Sequence, residues 1–257
     1  MLKNLRYTDE KSDKFWCVET LGCEMMLNWG KTGTAGRYEI KEFASEEICL
    51  KQAEKQLAAK YKKGYQEAPD FTPAGHLYFD TADFGLHRLT SNPIFRQYFA
   101  DDLYYDCGDE DAPFGSDEGN DTLWILQDIL RKRPKLNFAD FPRWLIEDEW
   151  GLVYLPPVSG QTDEQLLELA AQSYNGLPGD GELLNTVQVI LAAAFGQLKI
   201  TGQLDDYLQS LAFLALERWE KLARLLYGWS EPEPPYNIKI MRRDLTDYVN
   251  SQKRLGA

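Results

Sequence analysis

The sequence predicts an α+β fold: a small antiparallel sheet with one helix over about residues 1–68, then a mainly α-helical, acidic domain over about residues 75–257. Three observations support this organisation. Short apolar segments separated by glycines precede a single helical pattern near the N-terminus. From residue 122 onward, apolar residues recur mostly at helical spacing. Pro69 and Pro73 mark a boundary at which the charge balance also changes.

Two apolar segments, residues 15–20 and 23–29, predict a β-hairpin, because both are rich in β-branched, aromatic or apolar residues and Gly22 separates them. The segment GKTGTAG (30–36) follows, and its three glycines predict a turn or a close approach of the backbone. Apolar and charged residues alternate over residues 37–43. This alternation predicts a half-buried strand.

A helix is predicted after this strand, with Ser45 as its N-cap and Gly64 at its end. Acidic residues in the first turn and lysines in the last turn agree with the helix dipole. The apolar face is predicted to consist of Leu50, Ala53, Leu57 and Tyr61.

The second part of the chain begins with a loop-rich, aromatic segment over residues 74–120 and continues as helices. The helix at 182–198 is apolar nearly all round, which predicts a central position. The last helix is expected to be short and basic. The helices are predicted at 122–132, 141–150, 162–174, 182–198, 203–229 and near IMRRDLTDYVNSQKR.

Charge is distributed unevenly along the 257 residues, whose net charge is −13. Residues 1–68 contain 12 Lys and Arg against 11 Asp and Glu, whereas residues 69–257 contain 16 against 30. Because carboxylates repel phosphate, this excess argues against a chain covered throughout in nucleic-acid-binding surface. The asymmetry predicts two surfaces with different partners.

The pattern of cysteines and apolar runs predicts a cytoplasmic protein without a membrane partner. Cys17, Cys23, Cys49 and Cys107 form no CxxC pair and no dense framework, which favours a reduced compartment. No apolar run reaches the roughly 18 residues that a membrane-spanning helix needs. The N-terminus lacks the apolar centre of a secretory signal.

The N-terminal segment resembles the WGR domain, known from DNA-dependent poly(ADP-ribose) polymerases. The resemblance rests on FWCVET, MLNWGKTGTAGR, FASEE and KQAEKQLAAKYKKGY, in that order. The family's Trp-Gly-Arg falls on Trp29, Gly30 and Lys31, so a lysine replaces the arginine, and its second glycine is Gly33. The segment APFGSDEGNDTLWIL also resembles part of uncharacterised bacterial proteins, some of which contain WGR domains.

The resemblance implies a nucleic-acid interface in which Trp29 packs on the sugar of a terminal nucleotide and Lys31 contacts phosphate. Lysine offers a point charge in place of the planar donor of arginine. The residues themselves permit this function, because an exposed indole stacks on bases and glycines let a polymer approach. The full set of candidates is Trp29, Gly30, Lys31, Gly33, Arg37, Lys60, Lys62 and Lys63.

Each of these candidates also has a structural interpretation. A tryptophan at the end of a strand commonly belongs to the core. Lysines in the last turn of a helix are explained by the helix dipole. Both interpretations therefore stay open for these residues.

The acidic block over residues 101–121 contains no Lys or Arg, and its carboxylates suit Ca²⁺ or Mg²⁺. Its spacing does not match an EF-hand. We favour the alternative that Ser116 or Asp117 caps the next helix while the other acids are solvated. His76 and His87, with Asp80 and Asp83 between them, are favoured as hydrogen-bonded residues over a metal or acid–base site. The metal candidates are Asp109, Asp111, Asp117 and Asp121.

The sequence favours a non-catalytic binding or regulatory protein that associates with DNA or RNA. It contains no P-loop, no nucleophile elbow and no Rossmann glycine fingerprint, and no cofactor is predicted. Two alternatives stay open. The acidic domain could bind a basic protein, or a metal-dependent hydrolase could use the 76–121 region.

Overall fold

The computed structural model describes residues 1–68, 76–133 and 136–255. The chain forms two compact units: unit 1 comprises Met1–Pro93 with Lys199–Gly202, and unit 2 comprises Ile94–Leu198 with Gln203–Ala257. The boundary predicted over residues 68–75 falls largely outside the described residues and stays a prediction. By sequence, unit 1 holds 14 basic and 14 acidic residues, whereas unit 2 holds 14 and 27. The whole net charge of the chain therefore belongs to unit 2.

Unit 1 is built on a five-stranded antiparallel sheet in the order β4-β3-β2-β1-β5. The hairpin predicted from the sequence is confirmed as β2 and β3, joined by a two-residue turn at Gly22, where φ is +56°. The sequence did not predict β1, in which Leu5 alone is buried, or the two-residue β5. The strands are β1 Leu2–Thr8, β2 Asp13–Leu21, β3 Glu24–Lys31, β4 Arg37–Glu42 and β5 Gln66–Glu67.

One helix, α1 (Glu46–Lys62), connects β4 to β5. Ser45 caps it as predicted, because its side chain accepts a hydrogen bond from the backbone N–H of Ile48 at 3.3 Å. The helix ends just before Gly64, whose φ of +85° suits glycine. Its fully buried residues are Ala53, which the predicted apolar face includes, and Cys49, which it does not.

The other residues of the predicted face are buried less completely, and Leu50 is half-buried. Leu57 packs only partly against the core, and Tyr61 is 41% exposed. The Tyr61 hydroxyl donates a hydrogen bond to Glu67 Oε1 at 2.6 Å. A polar partner on β5 therefore keeps this ring near the surface.

The side chains of the sheet alternate between two faces, as the two-residue period of a strand requires. On the helix face, a core of buried side chains packs against Cys49 and Ala53 of α1. On the opposite face, Met26 and Ile40 pack with Leu89. The sheet residues buried in the core of the helix face are Leu5, Trp16, Val18, Met25 and Leu27.

Unit 1 also contains a buried ion pair between Asp80 and Lys199, whose side chains are 0% and 1% exposed. The Lys199 ammonium donates to both carboxylate oxygens, at 2.6 and 2.8 Å. Burial lowers the pKa of Lys199, and the charge of Asp80 partly opposes this effect. The two residues are 119 positions apart, so this contact ties the sheet unit to a distant part of the sequence.

Unit 2 is mainly helical, as predicted. Ser116 caps α3 by accepting from the N–H of Gly119 at 3.0 Å, which confirms the capping prediction. The last helix is longer than expected, at 20 residues. A two-residue strand pair, β6 (Ser173–Tyr174) with β7 (Leu177–Pro178), precedes α6. The helices are α2 Pro93–Tyr98, α3 Asp117–Lys132, α4 Phe141–Trp144, α5 Asp163–Ala170, α6 Gly179–Thr201, α7 Asp206–Leu225 and α8 Tyr236–Leu255, with a π-helical turn at Leu145–Glu149.

Helix α6 is apolar nearly all round and central, as its sequence predicted. It is the one helix among the described residues that is long and apolar enough to cross a membrane, and 89% of its most apolar window is buried inside the protein. The rings of Phe99 and Tyr104 pack against Phe195 at 5.5 and 5.4 Å between centroids. Burial of this kind is the pattern of a core helix.

Candidate nucleic-acid interface

Trp29 lies on the helix face of the sheet near the end of β3. It pairs directly with Trp16 on β2 and with Arg37 on β4. Trp16 is buried, whereas Trp29 is half-buried and packs at the border of the core. Trp29 therefore contributes to the core while part of it stays accessible to solvent, and its role as a platform for a nucleotide stays a prediction.

Three further side chains form the next row of the same face. The strand register pairs Tyr7 with Lys14 and Lys14 with Lys31. Lys14 precedes Trp16 by two positions and Lys31 follows Trp29 by two, so this row shares the face of the Trp16–Trp29 pair. Lys14 and Lys31 are exposed. Sequence reasoning identified Lys31 and missed Lys14.

The basic residues of the strands fall into two groups. Lys3, Arg6 and Lys41 form salt bridges to neighbouring acids at 2.8, 2.5 and 3.2 Å. The other three, Lys14, Lys31 and Arg37, form no salt bridge within the part of the chain that the structure describes. We call the surface made by Lys14, Trp29, Lys31 and Arg37 the basic end of the sheet.

The last turn of α1 brings Lys60 to the same face. Its ammonium lies 5.3 Å from the centroid of the Trp16 ring and 5.2 Å from that of Tyr65, which is within cation–π range. Burial, followed by the charge of Lys63, lowers the pKa of Lys60. Lys62 and Lys63 are exposed in this turn, where the helix dipole also accounts for them.

The glycine-rich turn has a role within the chain itself. A Cβ on Gly30 would lie 2.7 Å from the Cα of Gly36, and a Cβ on Gly36 would lie 2.6 Å from the carbonyl oxygen of Trp29. The missing side chains thus let the turn approach β3 closely. Gly33 differs, because a Cβ there would meet nothing within 4 Å. An additional role of Gly30 or Gly33 in contacting nucleic acid stays a prediction.

Buried Asn28 fixes this turn from the opposite face of the sheet. Its amide nitrogen donates to the carbonyl oxygens of Ala35 and Arg37, at 3.0 and 3.1 Å. Its Oδ1 contacts Nε2 of His76 at 2.8 Å. Asn28 therefore holds the start of β4, and with it Arg37, beside Trp29.

His76 completes this polar network. Its Nε2 lies 2.8 Å from the Tyr38 hydroxyl, which donates its own proton to the carbonyl of Leu77 at 2.8 Å. Because the Tyr38 hydroxyl and Asn28 Oδ1 must then both accept from Nε2, this ring nitrogen carries a proton. Burial lowers the pKa of His76 to about 4.

Comparison with known proteins identifies the N-terminal module. Residues 1–72 match the WGR domain family. "Uncharacterized protein YfeS" of Escherichia coli K12 is 40% identical over 248 residues, which cover 96% of this chain and 98% of that protein. The chain belongs to the same family as YfeS and carries a WGR domain.

Two other similarities are narrower. "Protein YehF" of E. coli K12 is 44% identical over 66 residues, 26% of this chain and 24% of that protein. A crystal structure of a Bacteroides fragilis protein shares 28% identity and covers 41% of this chain and 31% of its own, with a TM-score of 0.27. That score is too low to support an argument. WGR domains are generally associated with nucleic acids, and the basic end of the sheet lies within the WGR region.

The acidic candidates belong to unit 2. Asp109 accepts hydrogen bonds from Asn237 at 2.7 Å and from the N–H of Asp111 at 3.0 Å. Asp117 occupies the first turn of α3, and Asp121 is exposed farther along it. Within the described residues, no three Asp, Glu, His or Cys side chains come together in a group that could hold a metal ion.

The side chains of the His–Asp motif have different partners, although the backbone N–H of His87 donates to Asp80 Oδ1 at 3.3 Å. His76 belongs to the Asn28 network, and Asp80 pairs with Lys199. His87 Nε2 contacts Glu24 Oε1 at 3.0 Å, and Asp83 is exposed.

The depressed pKa of His76 predicts a pH dependence. The unfolded chain binds a proton near pH 6.5 and the folded chain only near pH 4. The free energy of unfolding is therefore at its full value above about pH 6.5. It falls by about 3 kcal/mol in total as the pH drops from about 6.5 to about 4, because the unfolded chain then binds a proton that the folded chain does not. An NMR titration of the His76 ring should give a midpoint near 4, with a His87→Gln variant to assign the two imidazoles. A midpoint near 6.5 would contradict the buried network.

Proposed function

We propose that this protein binds nucleic acid through the basic end of its WGR domain and acts as a non-catalytic binding or regulatory protein. The observation that carries the proposal is the location of the basic strand residues that form no salt bridge within the described part of the chain. Three of six basic residues in β1–β4 lack a salt bridge among the described residues, and all three surround half-buried Trp29. Cations held beside an exposed aromatic edge suit a ligand that offers phosphates and flat bases or sugars.

The rest of unit 1 supports a localised interface. Because unit 1 is neutral overall, its cations attract phosphate only where they are concentrated and free of acidic partners. The carboxylates of unit 2 repel phosphate. Binding is therefore expected to depend on a few defined contacts and to weaken steeply with salt.

The test is fluorescence anisotropy with labelled DNA, either a duplex with 5′-phosphorylated ends or a single strand, over a range of salt concentrations. One phosphate contact each from Lys14, Lys31 and Arg37 predicts that log K falls with log salt concentration with a slope of about −2.7 for duplex DNA. Trp29→Ala should weaken binding by about 1–3 kcal/mol through the lost stacking surface.

A control variant separates binding from folding in this test. Trp144→Ala removes a half-buried indole from unit 2 and should leave the DNA affinity unchanged. Trp29→Leu retains apolar contact with the core while it removes the flat ring. This variant should therefore fold but bind DNA more weakly than the wild type, as Trp29→Ala does. Absence of binding by the wild-type protein, even at low salt, would overturn the proposal.

Unit 2 supports a second candidate function, the binding of a basic protein. Its 27 acidic residues exceed its basic residues by 13. A surface of this sign attracts cationic partners and speeds their encounter. A basic protein that stays associated after nuclease treatment and is released by salt would support this role, whereas a partner that is lost with the nucleic acid would not.

A further inference from the structure

Residues 153–157 of unit 2, which we call the strap, are held in place by hydrogen bonds from side chains. Within the described residues, no backbone–backbone hydrogen bond reaches the strap. The N–H of Val153 donates to Glu182 Oε2 at 3.1 Å, and the N–H of Leu155 donates to the hydroxyl oxygen of Thr186 at 3.2 Å. Glu182 and Thr186 lie about 6 Å apart along α6, which matches the spacing of about 7 Å between alternate N–H groups of an extended chain.

Helix α7 binds the carbonyl groups of the strap. The guanidinium of Arg218 donates to the carbonyl oxygen of Leu155 and, at 2.8 Å, to that of Pro156. It also donates to Gln161 Oε1, at 3.2 and 2.8 Å. Lys221 donates to the carbonyl oxygen of Gln161 at 2.6 Å. Side chains of α6 and α7 therefore bind both the donors and the acceptors of the strap backbone, as protein surfaces do when they recognise an extended peptide through its main chain.

Two of the side chains that hold the strap carry buried charges. Arg218 is 3% exposed and Glu182 is 2% exposed, and neither forms a salt bridge within the described part of the chain. Burial lowers the pKa of Arg218 to about 10. The strap satisfies the hydrogen bonds of both side chains with neutral groups, although buried charges favour a charged partner. A chain that offers the same backbone groups and also brings a cation to Glu182 therefore gains an ion pair that the strap lacks.

Glycines flank the strap. Gly151 has a φ of +68° and Gly160 a φ of +73°, and a Cβ on either would meet nothing within 4 Å. No neighbouring atom therefore opposes a rotation of the backbone at these two positions. Pro156 and Pro157 favour an extended conformation between them. The strap can thus leave α6 and α7 as one extended piece.

The sequence around the strap is acidic. Residues 144–198 contain no Lys or Arg. Asp148 and Glu149 shortly before the strap, and Asp163 and Glu164 shortly after it, are exposed. None of these four carboxylates forms a salt bridge among the described residues. A chain with basic residues on both sides of its centre is therefore attracted to this region.

We propose that α6 and α7 form a groove for an extended basic peptide, that the strap occupies this groove in the free protein, and that a segment of a basic partner protein displaces it. The proposal rests on the second candidate function and deepens it, because it assigns the partner's segment to a defined site. The N–H and carbonyl groups of that segment replace those of Val153, Leu155 and Pro156. Its basic side chains pair with Glu182 and with the exposed acids on both sides of the strap.

The test uses a fluorescent peptide that carries the strap's own sequence, VYLPP, between two pairs of lysines. The tethered strap competes at an effective concentration in the millimolar range, so the peptide should bind the wild type weakly. Leu155→Pro removes the N–H that Thr186 accepts, and this variant should bind the peptide about tenfold more tightly, the equivalent of one hydrogen bond. Adding Arg218→Gln should abolish this gain. Adding Lys132→Gln instead, an exposed substitution on α3 of the same unit, should leave the gain intact.

Modified peptides separate recognition of the backbone from attraction by charge. A peptide N-methylated at the two amides that correspond to Val153 and Leu155 retains its lysines and its side chains but loses both donors. It should bind the Leu155→Pro variant about tenfold more weakly or worse. Replacing the lysines with glutamines should weaken binding most at low salt. Equal affinities of the methylated and unmethylated peptides would overturn the groove.

Hydrogen exchange in the wild-type protein tests displacement without any substitution. At saturating peptide the amides of Val153 and Leu155 should lose protection, whereas the amides of α6 should keep theirs. Binding that leaves both strap amides protected would overturn the displacement.

The outcomes also distinguish this proposal from the second candidate function. If a basic protein associates with unit 2 but the peptide binds neither the wild type nor the Leu155→Pro variant, the groove alone is overturned. If the peptide displaces the strap but no basic protein associates, the second candidate function fails and the groove stands as a peptide site.

Discussion

Replacing Asp80 with asparagine is expected to lower the free energy of unfolding by about 3–5 kcal/mol, because it leaves the ammonium of Lys199 buried without a counter-charge. The pair is inaccessible to solvent, and Asp80 also accepts hydrogen bonds from the Thr90 hydroxyl at 2.5 Å and from the N–H of His87 at 3.3 Å. Lys199→Met should have an effect of similar size, because it leaves the Asp80 carboxylate buried without a counter-charge. Urea denaturation, followed by hydrogen exchange of the β3 amides, measures both.

Two further variants make this prediction specific to burial. The double variant Asp80→Leu with Lys199→Met should lose less stability than either single variant, because no unpaired charge remains. Lys132→Met breaks an exposed pair with Asp128 at 2.6 Å and should cost less than about 1 kcal/mol. If Asp80→Asn behaved like this exposed control, the pair could not be buried as described.

Gly36→Ala is expected to lower the free energy of unfolding by about 2–4 kcal/mol, through strain at positive φ and overpacking. The φ of Gly36 is +71°, and an added Cβ would lie 2.5 Å from Phe15 Cζ and 2.6 Å from the carbonyl oxygen of Trp29. Neither the backbone nor a buried ring can move away easily. The variant should also bind DNA more weakly, because Arg37 follows Gly36 directly.

Gly33→Ala is the matched control for this substitution. The φ of Gly33 is +84°, but a Cβ there would meet no atom within 4 Å. Only the conformational penalty remains, about 1 kcal/mol. Equal losses for the two alanine variants would show that the close approach of the turn to β3 contributes little.

Local signals in the sequence predicted much of the WGR domain. The hairpin, the cap at Ser45 and the stop at Gly64 depend on residues that are neighbours along the chain. The strand β1 was missed because it has a single buried residue, Leu5, and gains its stability from the partner strand β2. Propensity alone does not reveal a strand of this kind.

The basic end of the sheet was only partly predicted. The sequence identified Trp29, Lys31 and Arg37, whereas Lys14 acquires its role through strand register. A signal was available, since pairing outward from a two-residue turn after Leu21 places Lys14 opposite Lys31. The contact between Asp80 and Lys199 had no local signal, because 119 residues separate the partners.

The measurement that tests the central claim most directly is an NMR titration of the tryptophan indole N–H signals with a short DNA duplex. The chain has seven tryptophans. Unit 1 contains Trp16 and Trp29, and unit 2 contains Trp124, Trp144, Trp150, Trp219 and Trp229. Binding at the basic end of the sheet predicts a saturable shift of the Trp29 signal while the five signals of unit 2 stay unchanged. Saturable shifts confined to unit 2, or an unchanged Trp29 signal in a complex that has formed, would contradict the account.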